Sequence, residues 1–524
     1  MSESTITPAR PDPDALLPAD RSLADGGPLR GRTAAILILV LLLYSGITDL
    51  YKASRKPFWF DEVCSIAMAR QQTFSAILAA EHTSPEGTPP LFHYLQALTR
   101  NTISNEAIGY RLNPAASVLC LSICLFLFVR RRLGPTTGLI AAVFPLLTSI
   151  GTVYSFEARP YALVVGCLSL ALLAWSRVER PLAVFALAFF LTLATSLHYY
   201  AIFAVVPFAA GEAVHWLRVG RFRPGPWLAM AISAVPLILG WPLLAGFRAF
   251  YGTHYFSAPS LVRIPAYYDA SVALGDGVGA AAAVLMGLAL LAGLAMILQR
   301  RPGLPAEVPV EEYVIVLAFL LLPFVGYAAT RVMHGGLVHR YVLSSLLGIS
   351  VAVAYLARWA GARASALLLA LMLAFVVFRD ARYWMVDART PAPVPMVQED
   401  VLQAAAAENL PLVISNPFDY LPMAYYNHGR DKFLALVDPG AAVKMIGSDS
   451  LDLSLIAMQP LLSLDVEQFS EFGPRHPRFL LYSRAGDSWN WWPAHLKSLG
   501  ATLRPVLLHD SQTLFLVEFN TPPR

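Results

Sequence analysis

Residues 33–50 read TAAILILVLLLYSGITDL, an apolar run whose only charged side chain is Asp49. A helix crossing the hydrocarbon core of a bilayer needs about 20 mostly apolar residues, and this run approaches that length. It is longer than the core of a signal peptide and lacks a small-residue cleavage site, so it reads as a first spanning helix. Upstream, residues 1–32 hold Pro8, Pro11, Pro13, Pro18 and Pro28 without an apolar period and read as a disordered cytoplasmic tail. Downstream, comparable runs recur near 112–129, 136–153, 160–176, 181–197, 201–217, 226–243, 278–298, 313–330, 342–358 and 364–379, giving about eleven expected spans.

Composition agrees with that reading. Charged residues make up 14% of the 524 and hydrophobic residues 56%, against roughly 25% charged in an average soluble chain. Mean hydropathy is +0.54. So few charges cannot coat a water-facing surface, which excludes a soluble multi-domain enzyme. A net charge of +4 is too small to suggest a nucleic-acid partner. The four cysteines form neither a disulfide framework nor a metal-ligand pattern: Cys120, Cys124 and Cys167 fall inside spans, and Cys64 stands alone.

Orientation follows from Lys and Arg in the short loops. With the tail inside, the inner turns carry Arg130/Arg131/Arg132, Arg177/Arg180, Arg218/Arg221/Arg223, Arg300/Arg301 and Arg358/Arg363. An odd number of spans then places residues 380–524 outside. There charge returns and short apolar strands alternate with helical stretches. Strands are expected at 412–415, 433–437, 479–483, 503–508 and 514–519, with helices at 399–408, 420–427 and 489–499. The expected fold class is thus an α-helical polytopic membrane protein, 33–379, with a long outer loop 51–111 and a C-terminal extracytoplasmic α/β domain, 380–524.

Ionisable residues at a membrane edge are functional candidates by default, and here they gather on the outer face. The first outer loop opens Lys56-Pro57-Phe58-Trp59-Phe60-Asp61-Glu62. Trp59, Val63 and Ile66 share one helical face, so the segment is expected to lie along the interface as an amphipathic helix. Asp61 and Glu62 in its first turn could cap it or do chemistry. Pro89-Pro90-Leu91-Phe92-His93-Tyr94 follows, a bend or helix start with interfacial aromatics. Glu157-Ala158-Arg159 is wedged between two spans, where acid and guanidinium could pair with each other or with another loop. His198-Tyr199-Tyr200 forms a tight outer turn, and His339-Arg340-Tyr341 opens a later span.

Both signs of charge at one apolar-rimmed surface suit an anionic, lipid-linked substrate. Transfer of a sugar from a polyprenyl phosphate needs no acid for its leaving group, unlike hydrolysis by a carboxylate pair. It needs cations on the phosphate, which arginine supplies bidentately, and one base for the acceptor hydroxyl. Asp61, Glu62 and Glu157 are the candidate catalytic acids. Arg159, Arg340 and Tyr341 are candidates for the donor phosphate, and His93, Tyr94, His198 and Tyr199 for bound substrate. The acids beyond the base could orient it or hold a divalent cation, and the residues leave both open.

The ordered series Trp59-Phe60-Asp61-Glu62, Pro89-Pro90-Leu91-Phe92-His93-Tyr94, Arg111-Leu112-Asn113-Pro114, Tyr154-Ser155-Phe156-Glu157-Ala158-Arg159-Pro160-Tyr161 and His198-Tyr199-Tyr200 resembles the family 39-type glycosyltransferases. These are GT-C fold enzymes related to protein O-mannosyltransferases and lipid A aminoarabinose transferases. The likeness covers roughly 33–210. It implies a polyprenyl-phosphate sugar donor, a lipid, glycan or protein acceptor, and an active site at the outer face of a bacterial inner membrane. It implies a catalytic Asp in the first outer loop, which maps onto Asp61, and a cationic group at the lipid phosphate, best matched by Arg159 and Arg340. Residues 81–88 and the C-terminal domain have no counterpart in that pattern. A transporter or flippase of lipid-linked sugars is the rival expectation, although transporters place ionisable groups near the bilayer midplane. A binding module with a membrane anchor is a third, disfavoured by the number of spans.

Overall fold

The computed structural model describes residues 31–520 apart from 253, 256, 274, 299–307, 391, 485, 488, 510 and 511. The tail up to residue 30 and the Arg300/Arg301 turn lie outside the described residues. Among those described, five helices are long and apolar enough to cross a membrane: Gly31–Arg55 (α1), Glu106–Leu133, Tyr199–Val219, Val278–Ala295 and Ala362–Met385. Three helix pairs are bent: Pro135–Leu147 with Ser149–Phe156 by 57°, Pro224–Leu239 with Trp241–Tyr251 by 51°, and Val310–Leu320 with Leu322–Met333 by 58°. Pro145, Pro242 and Pro323 stand at these breaks. Proline lacks the N–H that the preceding turn requires and clashes with its carbonyl, so the axis kinks there. Counting each pair as one span gives eight. Three further expected spans correspond to Tyr161–Trp175, Pro181–Leu197 and Ser345–Trp359, which at 15, 17 and 15 residues fall short of the usual spanning length.

Leu182, Phe185, Leu217, Leu285 and Phe378 are more than 60% exposed on the outside of this bundle. Large apolar side chains exposed in this way suit lipid rather than water. Inside, small residues let helices approach closely. A Cβ on Gly348 would come 2.5 Å from the Val316 carbonyl oxygen and 2.6 Å from the Leu320 nitrogen.

The segment expected as the first outer loop folds into three helices, Phe60–Ala69 (α2), Phe74–Thr83 (α3) and Pro90–Thr102 (α4). Pro90 occupies the first turn of α4, where its missing N–H has no partner to lose. The amphipathic expectation for α2 is corrected here. Nine of its ten residues are buried, because the C-terminal domain covers the side that the sequence assigned to the membrane interface. Phe58, Phe60, Val63 and Met68 share one core with Tyr420, Leu455 and Met458.

The last membrane helix runs to Met385, past the expected boundary at 379, because Asp380 is buried inside it and paired with Lys52 at 3.3 Å and Arg379 at 2.8 Å. Beyond it the chain forms strands Leu412–Ile414 (β1), Ala435–Val437 (β2), Val466–Gln468 (β3), Arg478–Arg484 (β4), Ala501–His509 (β5) and Gln512–Phe519 (β6). One sheet has the order β1-β4-β6-β5, with β1 parallel to β4 and the other pairs antiparallel. A small parallel pair, β2-β3, joins it through a Val413–Leu434 bridge. Side chains alternate across a strand. Leu480 and Tyr482 therefore face the core shared with α2, while Phe479 and Leu481 face Phe472, Trp492 and Leu496 on the other side. The five expected strands and three expected helices are present. Helices Pro439–Ile446, Ser450–Leu462 and Phe469–Arg475 and strand β3 were not anticipated.

Gly348→Ala should lower the thermal midpoint of the purified protein, because overpacking a tight core costs about 1–3 kcal/mol. An unchanged midpoint would show that the two helices can separate at no cost.

Candidate active site

Asp61 and Glu62 are adjacent in sequence yet face different surroundings. Helical geometry turns consecutive side chains about 100° apart, so one can enter a cavity while the other enters the protein. Glu62 is fully buried. Its two oxygens meet Nε and one terminal nitrogen of Arg111 at 2.7 and 2.6 Å, and the Ala158 N–H donates to it at 2.6 Å. Arg111, also fully buried, gives its remaining protons to the carbonyls of Ala53, Lys56 and Pro57 at 2.7, 2.6 and 3.2 Å. Burial would raise the pKa of Glu62, but the charge and hydrogen bonds of Arg111 outweigh it and hold the carboxylate below its ordinary range. Glu62, expected as a catalytic acid, has its lone pairs occupied and does not line the cavity described next.

That cavity, of about 910 Å³, lies between ends of the membrane helices and the C-terminal domain. Asp61 lines it beside Arg340, whose terminal nitrogen stands 2.9 Å from Oδ2. The approach is off-line for a hydrogen bond, so attraction between charges dominates the pair. Arg159 also lines the cavity. It donates to the Asp61 carbonyl oxygen at 3.1 Å, to Ser65 Oγ at 2.5 Å and to Glu86 Oε1 at 2.5 Å. Both guanidinium groups sit 5.7 Å from the Tyr161 ring. His198, Tyr199 and Tyr341 complete this part of the lining. Burial, reinforced by Arg159 and Arg340, lowers the His198 pKa to about 3, so its imidazole is neutral. Its Nδ1 accepts the Tyr200 N–H at 3.3 Å.

The other candidates lie away from the cavity. Glu157 pairs with Lys56 at 3.1 Å, and burial raises its pKa. Tyr94 is half-buried against Phe74, with ring centroids 5.9 Å apart. His93 is fully buried behind the cavity wall, its Nε2 lying 3.3 Å from Glu81 Oε1 and 3.5 Å from Glu86 Oε2.

Glu86 is a lining acid that sequence reasoning missed. It belongs to the unmatched segment 81–88, and the available signal was an acid beside Gly87 just before a double proline. Gly87 has φ of +86°, and a Cβ there would meet the Phe247 ring at 2.6 Å, so only glycine turns the chain here. Burial opposes ionisation of Glu86, but Arg159 and then His93 outweigh it and lower its pKa. Burial likewise opposes protonation of His93, yet Glu81 and Glu86 raise it to about 9, so the imidazole is cationic at neutral pH. Glu81, Glu86 and His93 offer three ligand atoms within 4.8 Å of one another and could converge on a metal ion. Such an ion would displace the His93 proton and compete with Arg159 for Glu86.

The two neighbouring acids should separate cleanly on substitution. Glu62→Gln leaves Arg111 as a buried, unpaired charge, a loss of about 3–5 kcal/mol, and should sharply lower the thermal midpoint. Asp61→Asn, at the cavity wall where Arg340 keeps some exposure, should lower it less by the same measurement. Equal effects would remove the distinction between staple and reactive group.

Comparison with solved structures returns membrane enzymes at low identity. ArnT from Cupriavidus metallidurans in the apo state gives 11% identity and a TM-score of 0.43, covering 92% of this chain and 98% of that one. The same protein bound to undecaprenyl phosphate gives 12% and 0.42, with 93% and 98% covered. The Archaeoglobus fulgidus oligosaccharyltransferase tethered to an acceptor peptide gives 11% and 0.40, with 86% and 69% covered. No curated protein matches the chain by sequence. The resemblance drawn from the loop motifs is independently supported: residues 87–241 match the family model described as dolichyl-phosphate-mannose-protein mannosyltransferase.

Proposed function

We propose that this integral membrane protein is an inverting glycosyltransferase. It moves a sugar from a polyprenyl-phosphate donor to an acceptor hydroxyl on the extracytoplasmic side of a bacterial inner membrane. The observation that carries the reading is the pairing of Asp61 with Arg340, beside Arg159, at the wall of a large cavity. A partly buried carboxylate at the cavity wall beside two guanidinium groups meets the needs of this reaction.

The chemistry follows from those groups. The donor phosphate takes Arg340 and Arg159 as charge-assisted partners, and Arg340 turns from Asp61 toward it. Asp61, released, accepts the proton of the acceptor hydroxyl as the oxygen attacks the anomeric carbon from the face opposite the phosphate. The new C–O bond forms as the bond from the anomeric carbon to phosphate oxygen breaks, and polyprenyl phosphate leaves with its electrons. The arginines stabilise the charge that develops on it. One displacement inverts the anomeric centre. His198, neutral, carries no charge into the site. Glu86 keeps Arg159 oriented and is in turn held by His93.

A transporter of lipid-linked sugars would use the same cations but has no need of a carboxylate poised beside them. The placement of the ionisable cluster in outer loops also weighs against it.

Asp61→Asn should lower kcat by about 10²–10⁴-fold, the usual contribution of a general base, in transfer assays with a polyprenyl-phosphate sugar. A wild-type rate would overturn the assignment. Arg340→Ala should weaken undecaprenyl-phosphate binding by about 10–100-fold, the loss expected for a charge-assisted hydrogen bond. Unchanged affinity would remove Arg340 from the phosphate.

A further inference from the structure

The cavity has two unlike walls. Among the described lining residues, the charged ones all come from the membrane side: Asp61, Glu86, Arg159, Arg248 and Arg340. The C-terminal domain supplies Phe418, Ser450, Leu451, Ser454, Met458 and Trp489, among which there is no charged residue. From the reactive carboxylate a line of rings leads outward along this second wall. Phe60, next to Asp61, meets Phe418 edge-on with centroids 5.2 Å apart, and Phe418 meets Trp489 edge-on at 6.2 Å.

Trp489 is partly exposed, and Asp487 and Asn490 beside it are held by hydrogen bonds. The Asp487 carboxylate accepts the Trp489 N–H at 2.9 Å and, through its other oxygen, the Asn416 amide at 2.6 Å. Asn490 accepts from Ser415 Oγ at 2.8 Å and donates to Ser483 Oγ at 2.7 Å. These bonds tie Asp487, Trp489 and Asn490 to β4, to Ser415 just past β1, and to Asn416 at the start of the helix Pro417–Asn427 that carries Phe418. An aromatic surface held by side-chain hydrogen bonds is preorganised and needs little ordering when a ligand arrives.

From this we infer that the uncharged wall is the acceptor subsite, and that it takes a neutral pyranose stacked on Trp489 and Phe418. The inference rests on the glycosyltransferase reading above and names its acceptor class. A pyranose presents an apolar C–H face that packs on an aromatic ring and hydroxyls around its edge. Ser450 and Ser454 lie on the same wall; Ser454 Oγ stands 3.1 Å from the Tyr251 hydroxyl across the cavity rim. A phosphorylated or acidic acceptor would need a cation here to offset its desolvation, and this wall has none. A peptide acceptor lying as an added strand would need an open strand edge. The β1 edge beside Phe418 is already closed by the Ile414 N–H to Leu434 bond of 2.9 Å and the Val413–Leu434 bridge. One of the hydroxyls of the stacked sugar then faces Asp61.

The test is saturation-transfer NMR on the full-length protein in lipid nanodiscs. The probes are methyl β-D-glucopyranoside, a glucosyl-diacylglycerol embedded in the disc, and an N-acetylated serine-containing peptide. Undecaprenyl-phosphate affinity is measured on the same samples. Aromatic protons should transfer saturation to the pyranose ring. Trp489→Ala should reduce that signal about five-fold, and Trp489→Phe should retain most of it. Undecaprenyl-phosphate affinity should stay within about two-fold of wild type in both, which also certifies their folding. A response to the methyl glycoside assigns the subsite to a free glycan. A response confined to the glucosyl lipid assigns it to a lipid-borne sugar. Binding of the peptide alone, or a pyranose signal undiminished in Trp489→Ala, overturns the acceptor assignment while leaving the donor reading intact. Failure of the wild-type protein to bind undecaprenyl phosphate removes the donor reading and the acceptor assignment with it.

Discussion

The site depends on one buried ion pair, Glu62 with Arg111. Arg111 projects from a membrane helix, while Glu62 sits in the first turn of a helix in the outer loop. Around them the pair gathers three carbonyls from residues 53–57 and the N–H of Ala158 from a loop a hundred residues away. A buried ion pair is seldom a net source of stability, since both ions lose their hydration. Here every donor of the guanidinium and both oxygens of the carboxylate are satisfied, so the loss is offset and the gain is geometric. The pair sets the direction of α2, and that direction places Asp61 in the cavity with Arg159 and Arg340.

The second constraint is that α2 belongs to two bodies at once. Its polar start is held by the membrane helices, and its apolar length is buried in the core of the C-terminal domain. The cavity is the seam between them. Charge comes from the membrane side and uncharged aromatic surface from the domain, so a charged lipid and a neutral partner can meet at Asp61 without either desolvating against the wrong wall.

Much of this was legible in the sequence, for physical reasons. Apolar runs must be long to cross a bilayer, and strands of β-branched and aromatic residues between turns stand out in a watery domain, so fold class and the principal strands could be read directly. Asp61, Arg159, Arg340, Tyr341, His198 and Tyr199, which line the cavity, stand out in the sequence because ionisable and aromatic groups at a membrane edge are few. The pairing of Glu62 could not be read because a single sequence gives no information on distant partners, and Arg111 lies 49 positions away. Glu86 was missed because its segment has no period and takes its meaning from Arg159, on another loop. The amphipathic stripe of α2 was real, but a stripe does not tell whether lipid or a protein domain will cover it.

The most direct measurement is an electron cryo-microscopy structure of the full-length protein in nanodiscs with undecaprenyl phosphate. The account predicts phosphate density at charge-assisted hydrogen-bond distance, about 2.7–2.9 Å, from the guanidinium nitrogens of Arg340 and Arg159, with Arg340 swung away from Asp61 and the Asp61 carboxylate facing open cavity. Phosphate bound elsewhere on the protein, or bound while the Asp61–Arg340 pair stays closed, would contradict it.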